Sequence, residues 1–298
     1  MKKIFTAICL LISALEGNSQ DNLLNMLPDN KDADFVTGTF KSTRIISAYS
    51  IETVEGHHLE YRVSHRFGPL NAGSYQFYGL DQGYIYMGLE YGINDNLMVG
   101  IGRSSEQKML NLFTKMRVLK QKTDSGSPVS ITLVGEAYAD MLRYPVEEQR
   151  TSLSQYSYML QGLVARKINK NLSVQVMPTL LYRNRNNEHG ESNAVFSMGF
   201  AGRYRLTNRT ALIGEYHYVL PNQLNAKYKN SMSLGFDIET GGHVFSLHFT
   251  NSTGMVAKQF IGETAETWAD GGIHFGFNLG RSFGLGKKYR DEHKLLKK

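Results

Sequence analysis

The stretch VFSMGFAGRYRLTNRTALIGEYHYVL, residues 195–220, decides how this chain folds. In its first half Phe196, Met198, Phe200 and Tyr204 alternate with Ser197, Gly199, Ala201, Arg203 and Arg205. A period of two puts the first set on one face of a strand and the second on the other. The tetrapeptide LTNR (206–209) then turns the chain, and a second strand is expected over residues 211–220. Both charges of the first strand keep to one face, while the other face is apolar from end to end.

The same arrangement recurs on both sides of this hairpin. Short turns at GINDN (92–96) and INKN (168–171) are also flanked by alternating runs. Met232, Leu234 and Phe236 oppose Ser231, Ser233 and Asp237; Phe245, Leu247 and Phe249 oppose Ser246, His248 and Thr250; Ile273, Phe275, Phe277 and Leu279 oppose His274, Gly276 and Asn278. Many of these runs reach ten or more residues, which is the reading of an antiparallel up-and-down transmembrane β-barrel. A Lys or Arg facing lipid at mid-membrane costs about 2–4 kcal/mol, so charges must be segregated if the apolar face meets lipid. Tyr91, Tyr156, Tyr182, Tyr204 and Tyr218 fall near strand ends, where interfacial girdles form. A soluble sandwich or lipocalin-like barrel would turn the same apolar face inward; strand length and number weigh against it.

Thirteen strand candidates emerge, the first over residues 35–47 and the other twelve between 59 and 283. Short and long connections alternate from residue 59 onward, which places the short turns on one side of the membrane together with both ends of a twelve-stranded barrel. A count of twelve to fourteen is expected. Residues 35–47 then lie outside the count, with three placements open: a plug in the lumen, a segment at the rim, or a strand paired at an edge. Two features resist the scheme. The link 104–108 is short although parity assigns it to the long-loop side, and Pro178 sits within strand 172–183, where a bulge or frayed ladder is expected.

No Pro/Ser-rich linker or shift in composition divides the 298 residues, so one domain is expected. No apolar run approaches the roughly 20 residues of a spanning helix. Residues 1–19 read as a signal peptide, with Lys2 and Lys3 before a short apolar stretch and with Gly17 and Ser19 at the cleavage site. Cys9, the single cysteine, lies within it, so the mature chain is expected to have no thiol. The layout is a signal peptide (1–19), an N-terminal extension with one strand-like segment (20–56), the barrel (57–284) and a basic tail (285–298). Residues 287–298 hold six basic and two acidic residues, 6 − 2 = +4, against a net charge of +6 for the whole chain. Charge gathered at a terminus without interleaved aromatics argues for no nucleic acid partner. It leaves a solvated end or a contact for a periplasmic partner.

Alternation assigns the lumen-lining candidates: Arg62, Arg66, Lys115, Arg117, Arg203 and Arg205 on the basic side, Glu90, Glu136, Glu215 and Asp237 on the acidic side, with His217, His248 and His274. Neither sign dominates. Buried charges must pair, so a salt-bridge lattice filling a narrow pore is favoured over a selectivity lining. No HxH or HExxH spacing supports a metal site, and no cofactor is expected. His248, Asn251 and Ser252 have the residue types of a nucleophilic triad, but alternation points His248 inward, away from a lipid substrate. Met255, Val256, Phe260 and Ile261, inside the long connection 251–272, have the character of a short helix or lid at the barrel mouth.

Five segments carry a resemblance to a known family: TFKSTRII (39–46), HRFGPL (65–70), LEYGINDNLMVGIGRS (89–104), DIETGGHVFSLHFTNSTGM (237–255) and HFGFNLGRSFG (274–284). They resemble an uncharacterised outer-membrane β-barrel family of Bacteroidota, a domain of unknown function. The resemblance implies the barrel and its outer-membrane setting and transfers no catalytic residue. Asn278, Gly280, Phe283 and Leu285 loosely resemble the C-terminal signal read by the outer-membrane insertion machinery. The expected protein is thus an outer-membrane barrel of a Gram-negative bacterium, most simply a small-solute channel or transporter and not an enzyme, with outer-membrane lipid and that machinery as partners. The alternatives are a structural or partner-docking barrel without transport and, more remotely, a membrane-embedded hydrolase.

Overall fold

The computed structural model describes residues 35–123, 126–143, 153–185, 190–240 and 243–285. The expected signal peptide, the first part of the N-terminal extension and the basic tail from 286 lie outside the described residues. Twelve strands form one closed antiparallel barrel: β1 (His58–Pro69), β2 (Gly83–Asn94), β3 (Leu97–Ser104), β4 (Leu110–Leu119), β5 (Ser130–Ala139), β6 (Tyr156–Lys167), β7 (Leu172–Arg183), β8 (Ala194–Arg205), β9 (Thr210–Val219), β10 (Ser231–Thr240), β11 (His243–Thr250) and β12 (His274–Gly284). Each strand pairs with its sequence neighbours, and β1 closes the barrel on β12 from His58 opposite Gly284 to Arg66 opposite Gly276.

The three short turns share one device. Asn94 Oδ1 accepts the amides of Asn96 and Leu97, each at 2.9 Å. Asn169 Oδ1 accepts those of Asn171 at 2.8 Å and Leu172 at 2.9 Å. Thr207 Oγ1 accepts those of Arg209 at 3.2 Å and Thr210 at 3.0 Å. A short polar side chain that captures amides two and three residues on replaces ladder bonds and reverses the strand. All three turns lie at the end of the barrel where β1 begins and β12 ends.

The alternation resolves with the apolar face outside. Phe196, Phe200, Leu234, Phe236, Leu247 and Phe249 are exposed, while Ser197, Arg203, Ser233, Asp237 and Thr250 are buried. This is the inverse of a soluble barrel and corrects the lipocalin-like alternative.

Pro178 frays one ladder without shifting its register. Pairing between β6 and β7 runs to Gln161 opposite Thr179 and resumes at Val164 opposite Val176. On the β8 side the ladder is continuous through Pro178 opposite Met198. Proline has no amide to donate. Inside the wall, side chains bond beside the break: Gln161 Nε2 donates to Thr179 Oγ1 at 2.8 Å, and Thr179 Oγ1 donates to the Met177 carbonyl at 3.0 Å.

Residues 35–47 form no strand of the sheet, which corrects the first strand candidate. Only isolated bridges occur here, Phe35 with Lys122 and Arg44 with Tyr49. From Thr39 through Val54 the chain lies inside the barrel, with Phe40, Ile45, Ile46, Ala48, Tyr49, Ile51 and Val54 all buried, while residues 35–38 lie at the rim beside Gln121 and Lys122. Of the three placements, the plug is adopted from Thr39 onward and the rim before it.

Candidate functional site

The lumen is filled from both ends, and the fillings are built differently. From the end where β1 begins and β12 ends, residues 39–54 enter as a tight hairpin. Ile45 N donates to Ala48 O at 2.9 Å and Ser50 N to Thr43 O at 3.0 Å, which leaves Ile46 and Ser47 at the tip. The hairpin's own Arg44, Ser50 and Glu52 side chains satisfy part of the remaining backbone, and side chains of the wall satisfy much of the rest. Glu215 of β9 receives three amides at the tip, from Ile46 at 3.1 Å, Ser47 at 2.9 Å and Ala48 at 3.1 Å. Asn278 of β12 donates to Ile46 O at 2.8 Å, Gln175 of β7 to Tyr49 O at 2.7 Å, and Thr132 of β5 to Ile51 O at 3.0 Å. Lys115 of β4 donates to the carbonyls of Thr43, at 3.1 Å, and Glu52. Each buried backbone group of this kind would otherwise lose hydration without compensation, at about 1–3 kcal/mol.

Side-chain contacts extend the attachment. Arg62 Nη2 donates to Ser42 Oγ at 2.8 Å and Thr43 Oγ1 at 2.7 Å, and Thr43 Oγ1 donates to Glu90 at 2.6 Å. Arg44 lies 3.9 Å from the Tyr49 ring centroid and 3.9 Å from Glu90 Oε1. Arg66 reaches Ser47 Oγ at 3.2 Å, and Arg117 pairs with Glu52 at 3.1 Å. At the mouth beside the hairpin, clefts of about 420 and 430 Å³ share Lys41, Ser42, Glu60 and Ser282 in their linings.

From the long-loop end, residues 251–273 fold inward around a six-residue helix, α1 (Ala257–Gly262), every residue of which is buried. Phe260 packs on the His217 ring with centroids 4.8 Å apart. The socket for this lid is the short link between β3 and β4. Gln259 Nε2 donates to Glu106 O at 3.0 Å, Thr253 Oγ1 to Glu106 Oε1 at 2.7 Å, and Gln107 Nε2 to Glu263 Oε2 at 2.7 Å. Lys258 pairs with Glu263 at 2.7 Å. The link that violated the length rule is therefore short because it holds the lid.

Arg62, Arg66, Glu90, Lys115, Glu136, Arg203, Glu215, His217, Asp237, His248 and His274 are buried on the inner face; Arg117 and Arg205 are half-buried near the mouth where β1 begins. Those brought together by the hairpin are Arg62, Arg66, Glu90, Lys115, Arg117 and Glu215. Glu136 instead binds Asn111 and Tyr138, each at 2.7 Å, Asp237 accepts from Ser246, and Arg203 lies 3.6 Å from Glu239. His274 contacts Glu266 at 3.1 Å and Phe67 O at 2.9 Å. His248 lies beside Gly276, where a Cβ would come within 2.6 Å of its Nε2, so the glycine makes room for the imidazole. Among the described residues no group of three or more His, Cys, Asp or Glu is placed to hold a metal.

The interior holds more than the salt-bridge and hydrogen-bond lattice that alternation suggested. Met98, Phe113, Val134, Met159, Leu163, Met177, Leu181 and Ile213 also point inward and pack with Ile45, Ile46 and Tyr49 of the hairpin and Val256, Phe260 and Ile261 of the lid region. Polar anchors thus surround an apolar core that the barrel wall cannot complete alone. Sequence reasoning missed Thr132, Gln175 and Asn278 as anchors, although each occupies an inward position in its strand.

Lid docking is expected to depend on pH through Glu106. Burial raises its carboxyl above the ordinary value against the hydrogen bond from Thr253, and the nearby Glu263 adds to the rise. A carboxyl whose folded value is raised binds more protons folded than unfolded, so docking is stronger in acid and weakens as pH rises through the folded value. Amide protection across residues 256–262, corrected for intrinsic exchange, should fall as pH rises from the ordinary carboxyl range through the raised folded value of Glu106. Glu106→Gln should flatten that profile, and an unchanged slope in this variant would assign the dependence elsewhere.

A family model described as "Membrane bound beta barrel domain (DUF5777)" matches residues 40–283. Among solved structures, the chain is similar to a KdgM porin at 9% identity and a TM-score of 0.45, with 76% of this chain and 99% of that chain covered. A NanC porin aligns at 10% identity and a TM-score of 0.46, covering 76% and 100%. The Salmonella typhi OmpF complex with daunomycin aligns at 8% identity and 0.38, covering 76% and 97%. No curated protein matches the chain.

Proposed function

The chain belongs to the DUF5777 family of membrane-bound β-barrel domains, and from that premise we propose that it is a small-solute channel of the outer membrane, held shut by its own hairpin and lid. The observation that carries this reading is the mode of attachment of residues 39–54. The hairpin lies inside the barrel yet shares no ladder with any strand, so it can leave without opening the wall. The same holds for α1, whose contacts are with side chains and one short link. The clefts beside the hairpin give a solute access to the edge of the closure. The setting that goes with this reading is a Gram-negative bacterium of the Bacteroidota, with the basic tail as a contact for a periplasmic partner. No enzymatic step belongs to it, since His248 and Ser252 face the filled interior. The second reading, a barrel that docks partners without transport, draws on the density of the buried polar anchors.

Planar bilayers separate the two. The intact chain should pass little current, whereas a variant lacking residues 39–54 and carrying a Gly/Ser linker in place of 255–263 should conduct in discrete steps. A folded, heat-modifiable form of that variant without conductance would leave the docking reading in place.

A further inference from the structure

The outer wall carries a groove of about 560 Å³ where the β6–β7 ladder is frayed. Its outward lining includes Leu160, Gly162, Pro178, Leu180, Phe196 and Met198, with no charged residue among those that border it. Two sequence features make it. Gly162 adds no side chain to the outer face, and Pro178 removes an amide where the strands would otherwise be drawn together. On the inner face Gln161 of β6 is bonded to Thr179 of β7 beside the break.

We propose that this recess is a binding site for one acyl chain of a membrane lipid in the leaflet on the long-loop side. The occupant follows from depth and chemistry. Tyr158 stands opposite Tyr182 on the outer face, and both are exposed toward the long-loop ends of β6 and β7. Tyrosines in such a position mark the headgroup level. Leu160 and Gly162 lie two and four residues further along β6, roughly 7 to 14 Å down the strand, which is the depth of hydrocarbon. The volume falls within the range of specific ligand sites, about 300–1,000 Å³. Elsewhere the ladders depart from regular pairing only near strand ends, between Arg66 and Pro69, Gly92 and Asn94, and Arg117 and Leu119. The inference rests on the membrane-bound barrel and stands whether or not the lumen conducts.

Native mass spectrometry after transfer from palmitoyl-oleoyl phosphatidylethanolamine vesicles into mild detergent tests it. A Cβ at Gly162 would meet only Pro178 Cγ, at 3.5 Å, so Gly162→Leu fills the groove without touching the ladder. Gly202→Leu is the control, an outward glycine of β8 whose Cβ would meet only Ser173 O at 3.8 Å. The natural chain and Gly202→Leu should retain one phospholipid, and Gly162→Leu should lose it about tenfold more readily, a difference of about 1.4 kcal/mol. Equal retention in all three, equal loss from both variants, or no retained lipid in the natural chain would each overturn the proposal. If Gly162→Leu lacked the heat-modifiable migration of a folded barrel, Gly162→Ala would carry the same comparison with a smaller expected loss.

Discussion

Replacing Glu215 by alanine is expected to free the tip of the hairpin while the barrel stays closed. Three buried amides, of Ile46, Ser47 and Ala48, converge on one carboxylate within 3.1 Å. Bonds to a charged acceptor are about twice as strong as neutral ones, and removal of the acceptor strands all three donors. Each buried donor so stranded costs about 1–3 kcal/mol. That cost does not fall on the wall, because Glu215 sits on β9 with its ladders to β8 and β10 made by backbone alone. The hairpin bears it. Amide exchange at the three tip positions should therefore accelerate at least about a hundredfold, roughly 2.8 kcal/mol, with heat-modifiable migration unchanged. Glu215→Gln keeps one acceptor oxygen and should lie between the two. Unchanged protection in a folded Glu215→Ala protein would mean that the hairpin is held by its apolar contacts and not by the carboxylate.

The difference between wall and filling also explains what was legible in the sequence. The wall is local: each strand announces itself by alternation over about ten residues, and Asn94, Asn169 and Thr207 announce the turns because each bonds amides two and three positions away. Twelve strands, their order and their outward face follow from that. The filling is non-local. Ile46 is bound by Glu215 and Asn278, 169 and 232 residues away in the chain. No periodicity encodes such a pairing, so residues 35–47 read as an ordinary alternating run and the plug could not be told from an edge strand. The inward apolar residues Met98, Phe113 and Ile213 were not picked out from the sequence for a related reason. They break the polar inner pattern only because the hairpin and lid supply apolar partners for them. The link 104–108 was an exception to the length rule until the lid was in place above it.

The second large effect is expected at Phe260, the side chain by which the lid reaches furthest into the core. It is 1% exposed and packs at a tilt of 49° against the His217 ring. Phe→Ala in a packed core costs about 3–5 kcal/mol. A helix of six residues with no side-chain cap cannot stand by itself, so α1 persists by packing. Phe260→Ala should therefore undock the lid rather than melt the barrel, with protection lost across residues 256–262 and the migration of the folded form retained. The consequence for current is not additive. Hairpin and lid enter from opposite ends of one lumen, so they are closures in series, and release of either leaves the other in the path. Phe260→Ala alone and Glu215→Ala alone should each raise open time only slightly, whereas the double variant should conduct far more than the sum of the two. A single variant that already conducts as fully as the double would show that one closure alone sets the resistance, and equal silence in all three, with both segments demonstrably undocked, would remove the channel reading itself.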